Sequence, residues 1–102
     1  MESGDFLHME GRKIALVLDR RDNVAVVLAD VGPGEDCLVR GLKAECDLRA
    51  AEAVPFGHKV ALANLAAGEA IRKYGEEIGV AAAPIPKGGW VHIHNLHCAR
   101  GM

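Results

Sequence analysis

Aromatic side chains are scarce, four in 102 residues, although half of the residues are hydrophobic. Without large rings a core must be assembled from Val, Ala, Leu and Ile, which suits thin β-structure with closely packed backbones. No apolar run approaches the roughly 20 residues needed to cross a bilayer. Cysteine is sparse too. Cys37, Cys46 and Cys98 form no C-x-x-C pair and are odd in number, which argues against a disulfide framework and for reduced thiols in a cytoplasm. Charge of one sign is also lacking: the formal net charge is -2 with acids and bases interleaved, so no basic field exists to hold a phosphate backbone, and nucleic acid is not an expected partner. Met1 to Gly11 carries Glu2, Asp5 and Glu10 and has no basic region leading into an apolar run, so it does not read as a secretory signal.

The length suits one domain, which at this size buries roughly two thirds of the surface its unfolded chain exposes. Residues 1–12 read as a flexible N-terminal arm and residues 13–102 as the domain. Lys13-Ile14-Ala15-Leu16-Val17-Leu18 and Asn23-Val24-Ala25-Val26-Val27-Leu28 are β-branched runs separated by Asp19-Arg20-Arg21-Asp22, which predicts two strands joined by a polar turn. Their near-continuous apolarity predicts burial on both faces, or one face packed on a partner.

A phrase then recurs. Asp30-Val31-Gly32-Pro33-Gly34-Glu35, Asn64-Leu65-Ala66-Ala67-Gly68-Glu69 and Pro84-Ile85-Pro86-Lys87-Gly88-Gly89 each set an aliphatic residue three positions before a glycine and then return to apolar residues. The aliphatic would anchor a tight turn, the glycine would take φ > 0, and a new strand would begin. At about 20 to 34 residues apart the copies are too irregular for a solenoid, and a compact barrel-like or clip-like β-fold is expected. Leu42 to Val54 has helical propensity, but Leu42, Ala44, Cys46 and Leu48 alternate, which favours a strand or irregular edge. Pro55-Phe56-Gly57-His58-Lys59 breaks the chain before a strand at Val60-Ala61-Leu62. Ile71 to Gly79 reads as strand, glycine turn, strand, with Gly75 and Gly79 marking bulges or close backbone approach.

The stretch Trp90-Val91-His92-Ile93-His94-Asn95-Leu96-His97 holds three of the five histidines. If extended, it would project His92 and His94 on one face, where two imidazoles can share one metal ion or one substrate. A third ligand would come from His58, His97, Cys98, Glu76 or Glu77. The plain alternative is a solvated face of an edge strand. His58-Lys59 after a glycine suits a carboxylate, or acid–base work if burial depresses the lysine, whereas a lysine beside a turn is ordinarily just solvated. Lys73-Tyr74 poses the same choice, Asp22-Asn23 most simply caps a turn, and Cys98 most simply is a small hydrophobe.

Asp22-Asn23-Val24-Ala25-Val26, Pro55 to Leu62, Gly68-Glu69 with Ile71 to Gly79, and Trp90 to Leu96 together resemble the small N-terminal domain of the altronate/galactarate dehydratase family, over about Lys13 to Gly101. The free-standing small subunit of sulfolactate sulfo-lyase is of this group and length. The resemblance implies a mainly β fold, the SAF-type β-clip, small and barrel-like. It implies β-elimination from a hydroxy acid (dehydration of altronate or galactarate, or desulfonation of sulfolactate) with a divalent metal, iron(II), and a large dehydratase or lyase subunit as partner. A homo-oligomer is a further expectation. Residue by residue, it implies catalytic roles for His58, Lys59, Lys73 and Tyr74, metal ligation by His92 and His94, and substrate contacts by Asn95 and Asn23. Asn64 departs from the pattern, standing where Asp is expected. The other expectation, from a different class, is a non-catalytic carboxylate-binding or docking module for a large partner.

Overall fold

A computed structural model describes residues 11–41 and 45–98. Of the expected arm only Gly11 and Arg12 fall among them, and Arg12 pairs with Asp47. Nine strands follow in chain order: β1 (Lys13–Val17), β2 (Val24–Val27), β3 (Asp36–Gly41), β4 (Cys46–Arg49), β5 (Lys59–Ala61), β6 (Ala70–Lys73), β7 (Glu76–Ala81), β8 (Trp90–Val91) and β9 (Leu96–Cys98). A six-stranded sheet has the order β4-β3-β1-β2-β5-β8, and a three-stranded sheet the order β6-β7-β9. Only β1 with β3 is parallel; the other ladders are antiparallel. No α-helix occurs among the described residues, so none there is long and apolar enough to cross a membrane. This is the mainly β, clip-like architecture expected, and Cys46–Arg49 is a strand rather than a helix.

Two apolar clusters form. The first gathers Ala15, Val17, Ala25, Val27, Val39, Leu48 and Val60 with their neighbours, and the second gathers Val24, Ala61, Leu65, Ile71, Ala81, Ile85 and Val91. Successive residues of a strand point to opposite faces. Val24 and Ala25 therefore serve different clusters, as do Val60 and Ala61, and β2 with β5 is a wall buried on both sides. The continuous apolarity of β2 follows from that position.

The recurrent corner is the device that closes the clip, and it occurs four times rather than three. Glu35, His58, Glu69 and Gly89 each donate an N–H to the carbonyl three residues back, at 3.1, 3.0, 2.9 and 2.8 Å. The residue before each donor is a glycine, with φ of 78° at Gly34, 84° at Gly57, 86° at Gly68 and 86° at Gly88. An i→i+3 bond with φ near +80° at the third position is a type II turn, which only glycine enters without strain. The aliphatic residue opening each corner is buried, and the four pair off: Val31 exchanges backbone hydrogen bonds with Val54, and Leu65 with Ile85. Asp30 Oδ1 accepts from Phe56 N and Asn64 Oδ1 from Lys87 N, both at 2.8 Å. The amide of Asn64 thus serves where a carboxylate was expected, because only an oxygen acceptor is needed there.

The fourth copy, Val54 to Lys59, has the same spacing, with Val54 three positions before Gly57, and differs from the copies at Val31 and Leu65 in its exit residue. In two corners the residue after the anchor has an N–H that needs an acceptor, and Glu35 Oε1 takes that of Gly32 while Glu69 Oε1 takes that of Ala66. In the other two that residue is Pro55 or Pro86, which has no N–H, and no carboxylate is needed. The exit positions become His58 and Gly89.

The turn between β6 and β7 is held from outside. The carboxylate of Asp22, 2% exposed, accepts from Tyr74 N at 3.0 Å and Gly75 N at 2.8 Å, and Tyr74 sits at φ 58°. The β6–β7 ladder slips between Ile71 and Arg72, and a Cβ on Gly79 would lie 2.1 Å from His97 O, so bulge and close approach both occur here.

Gly34→Ala should cost about 1–2 kcal/mol, the left-handed strain alone, since a Cβ there meets nothing within 4 Å. Gly88→Ala should cost clearly more, because its Cβ would stand 2.1 Å from Arg49 O. Urea unfolding of both variants checks this order; equal losses would refute the close approach.

Candidate functional site

The second corner ends in His58-Lys59 and the fourth in Gly89-Trp90, so β5 and β8 start from equivalent turns and run antiparallel with Lys59 opposite Val91 and Val60 opposite Trp90. One step further along that register places His58 opposite His92. The rings meet, with centroids 4.6 Å apart. Trp90 lies between them and a third imidazole. Its ring is stacked with His92 at 5.3 Å and 11°, tilted to His94 at 5.0 Å and to His58 at 5.6 Å, and its Nε1–H donates to His58 Nδ1 at 3.1 Å.

His92 and His94 do not lie on an extended strand. β8 ends at Val91, and residues 92–95 form a turn closed by Asn95 N donating to His92 O at 3.0 Å. Asn95 also staples the turn with its side chain, Oδ1 accepting from His92 N at 2.9 Å and Nδ2 donating to Trp90 O at 2.8 Å. An Asn beside the strand exit can satisfy backbone groups locally, and this outcompetes extension. The two histidines accordingly share Trp90, not a strand face. Asn23 is committed in a similar way: its side chain donates to Ala70 O at 2.9 Å and accepts from Arg72 N at 2.8 Å, which lashes β2 to β6. Both amides expected to touch substrate bond backbone groups within this chain.

His58 and Lys59 do not share a wall. Strand alternation puts His58 on the face of Val60 and Trp90, toward the first cluster, and Lys59 on the face of Ala61 and Val91, toward the second. Lys59 is half-buried there and, among the described residues, makes no ion pair. Its ammonium is held below the usual lysine range, first by burial and then by the charge of Lys73. Lys73 Nζ in turn sits 4.4 Å from the centroid of the Tyr74 ring, which is 57% exposed. His92 is also held below its usual value, by desolvation and then by His58, Lys59 and His94. Every charge that acts on Lys59 or His92 is itself basic. The end of the β5–β8 ladder is therefore a place where basic groups converge from both faces with no acid among the charges acting on Lys59 and His92, while Glu52 Oε2 accepts from Trp90 N at 3.0 Å on β8.

A metal centre is a different matter. Among the described residues no three or more His, Cys, Asp or Glu side chains gather as a ligand set. His58 Nδ1 is already an acceptor for the indole, and His97 and Cys98 lie on β9, paired with β7. These residues do not by themselves fit the expected iron(II). All three cysteines are free; Cys37 is buried, which raises its thiol to about 11.

Trp90 was not singled out from sequence, although it is the only tryptophan and stands two residues before His92. Asp22 was given only a capping role, and the turn it caps lies about 50 residues downstream, as its hydrogen bonds to Tyr74 and Gly75 show.

Removing the charge at Lys59 has a defined pH signature. A lysine depressed by folding binds its proton less well in the fold than in the unfolded chain, so stability rises with pH from its depressed value up to the unfolded value near 10.5. Lys59→Met removes that dependence. Its unfolding free energy relative to the unsubstituted chain should be most favourable near neutrality and lose ground as pH approaches 10.5; a difference flat in pH would contradict the burial of the charge. Separately, Asn95→Ala should cost about 1–2 kcal/mol, since two part-buried hydrogen bonds go, and should shift the emission of Trp90 as the stack loosens.

Comparison with known proteins gives a consistent set. The model of the family described as altronate/galactarate dehydratase SAF domain matches residues 13–99. Galactarate dehydratase (L-threo-forming) of Escherichia coli (strain K12) is 41% identical over 70 residues, 69% of this chain and 12% of that protein. Altronate dehydratase of the same organism is 45% identical over 74 residues, 72% of this chain and 14% of that protein. The (2R)-sulfolactate sulfo-lyase subunit alpha of Paracoccus pantotrophus is 41% identical over 64 residues, 63% of this chain and 96% of that subunit. The chain thus spans a small part of the dehydratases it matches and nearly all of the sulfo-lyase subunit.

Proposed function

Because this chain belongs to the altronate/galactarate dehydratase SAF domain family, we propose that it is the small subunit, or the corresponding domain, of a lyase that performs β-elimination on a hydroxy acid together with a large subunit. In such a reaction a proton leaves the carbon beside a carboxylate, negative charge builds on the enolised carboxylate, and a β-substituent departs. The observation that carries the proposal is the convergence of Lys59, Lys73, His58, His92 and His94 with no acid among the charges acting on Lys59 and His92. An uncompensated cationic site favours the charge that develops during elimination, and its groups are already in place before the substrate arrives. Lys59, half-buried and depressed, has a larger neutral fraction near physiological pH than an exposed lysine, which suits it to take the proton. Burial depresses Lys59 and the charge of Lys73, seated on Tyr74, adds to it, and Lys73 faces the carboxylate. The expected iron(II) is assigned to the assembled enzyme, with ligands from the large subunit, and no step above runs through it. We place that enzyme in the cytoplasm.

The second reading, a docking or carboxylate-binding module without chemistry of its own, draws on Phe56 and Ile93. They are 63% and 80% exposed, Phe56 standing two residues before His58 and Ile93 next to His92, as anchors for a large partner would.

The test is elimination from altronate, galactarate and sulfolactate by the large subunit with and without this chain. The expected result is dependence on the chain, and a fall of about 10²- to 10⁴-fold with Lys59→Met if Lys59 is the base. Activity restored by Lys59→Met and by His92→Ala plus His94→Ala alike would support the docking module, and activity indifferent to the chain would end both readings.

A further inference from the structure

Trp90 does more than fill space between histidines. Its indole N–H ends on His58 Nδ1 at 3.1 Å. An imidazole nitrogen that accepts a hydrogen bond bears no hydrogen, so neutral His58 carries its hydrogen on Nε2. The indole is not free to turn away, because His92 is stacked on it within 11° of parallel and also abuts the His58 ring. For Nε2 to offer a lone pair, the hydrogen would have to move to Nδ1. There it would point at the indole N–H, donor against donor, and the hydrogen bond would be lost. Nδ1 itself is closed by the indole. Both nitrogens of His58 are then disfavoured as ligands to a metal ion.

We propose that Trp90 is a positioning residue that holds His58 as an Nε2–H donor, so that this ring gives a hydrogen bond to an oxyanion and does not ligate a metal. The oxyanion as ligand rests on the carboxylate reading above; the tautomer does not. A neutral hydrogen bond of this type biases the tautomer by roughly two- to tenfold.

Nitrogen-15 NMR of the histidine and tryptophan rings in the full chain, at a pH where His58 is neutral, tests the proposal. A coupling across the hydrogen bond from Trp90 Nε1 to His58 Nδ1, with the His58 hydrogen on Nε2, is expected. Trp90→Phe keeps an aromatic platform and removes the donor, so the Nδ1–H form of His58 should rise by roughly two- to tenfold. A cobalt(II) titration is the second readout. His58→Ala should leave cobalt binding by the unsubstituted chain unchanged, whereas Trp90→Phe should strengthen it and Trp90→Phe with His58→Ala should not. His58 with its hydrogen on Nδ1, or cobalt binding weakened by His58→Ala alone, overturns the proposal, and the unsubstituted chain decides this even if Trp90→Phe does not fold. Binding of galactarate, followed at His58 Nε2–H, is read separately: its absence beside an intact tautomer defeats the carboxylate reading and leaves the role of Trp90 standing.

Discussion

The exchange of backbone hydrogen bonds between buried aliphatic residues, Val31 with Val54 and Leu65 with Ile85, ties the corners of this fold in pairs. Each pair satisfies four polar backbone groups in places that water does not reach, where leaving them unmade would be costly. Each also fixes where the next strand begins. The functional groups inherit their positions from this constraint, since His58 and Trp90 are what the second and fourth corners deliver to β5 and β8. Pro55 and Pro86 make that delivery possible. By having no N–H they relieve their corners of the carboxylate that Glu35 and Glu69 provide elsewhere, and the exit positions are released for other chemistry.

The electrostatics of the site follow from the same arrangement. Two corners dispense with an exit glutamate, and the carboxylate found at β8 is that of Glu52, which accepts from Trp90 N. Desolvation first, and then the basic groups that gather there, hold Lys59 and His92 below their usual values. A site under such repulsion is relieved by an anion. The alternation of the strands spreads it over two faces of an edge, histidines around Trp90 on one and lysines on the other, so a ligand reaching both must lie across the end of the ladder.

Much of the fold was legible in the residues. The β1–β2 hairpin, the glycine turn of β6 and β7 and three of the corners follow from β-branched runs and glycine spacing, because strand alternation and positive φ leave local marks. The corner at Val54 to Lys59 has the same aliphatic-to-glycine spacing and was passed over, its exit being His58 where two of its sister turns have Glu35 and Glu69. The histidine strand was wrong for a related reason: Asn95 satisfies local backbone groups and ends extension at Val91, a competition that hydrophobic patterning does not register.

By itself the sequence determined the class of fold, the kinds of side chain available to a site, and the kinship of residues 13–99. Those properties are carried by local propensity and by motif order. Only the tertiary structure decided which of those side chains meet. Cross-strand register sets His58 against His92, and β2 places Asp22 and Asn23 on a turn and strand about 50 residues away. The indole of Trp90 then reaches one particular nitrogen of His58. Such pairings depend on how distant strands are laid side by side, and no local pattern encodes that.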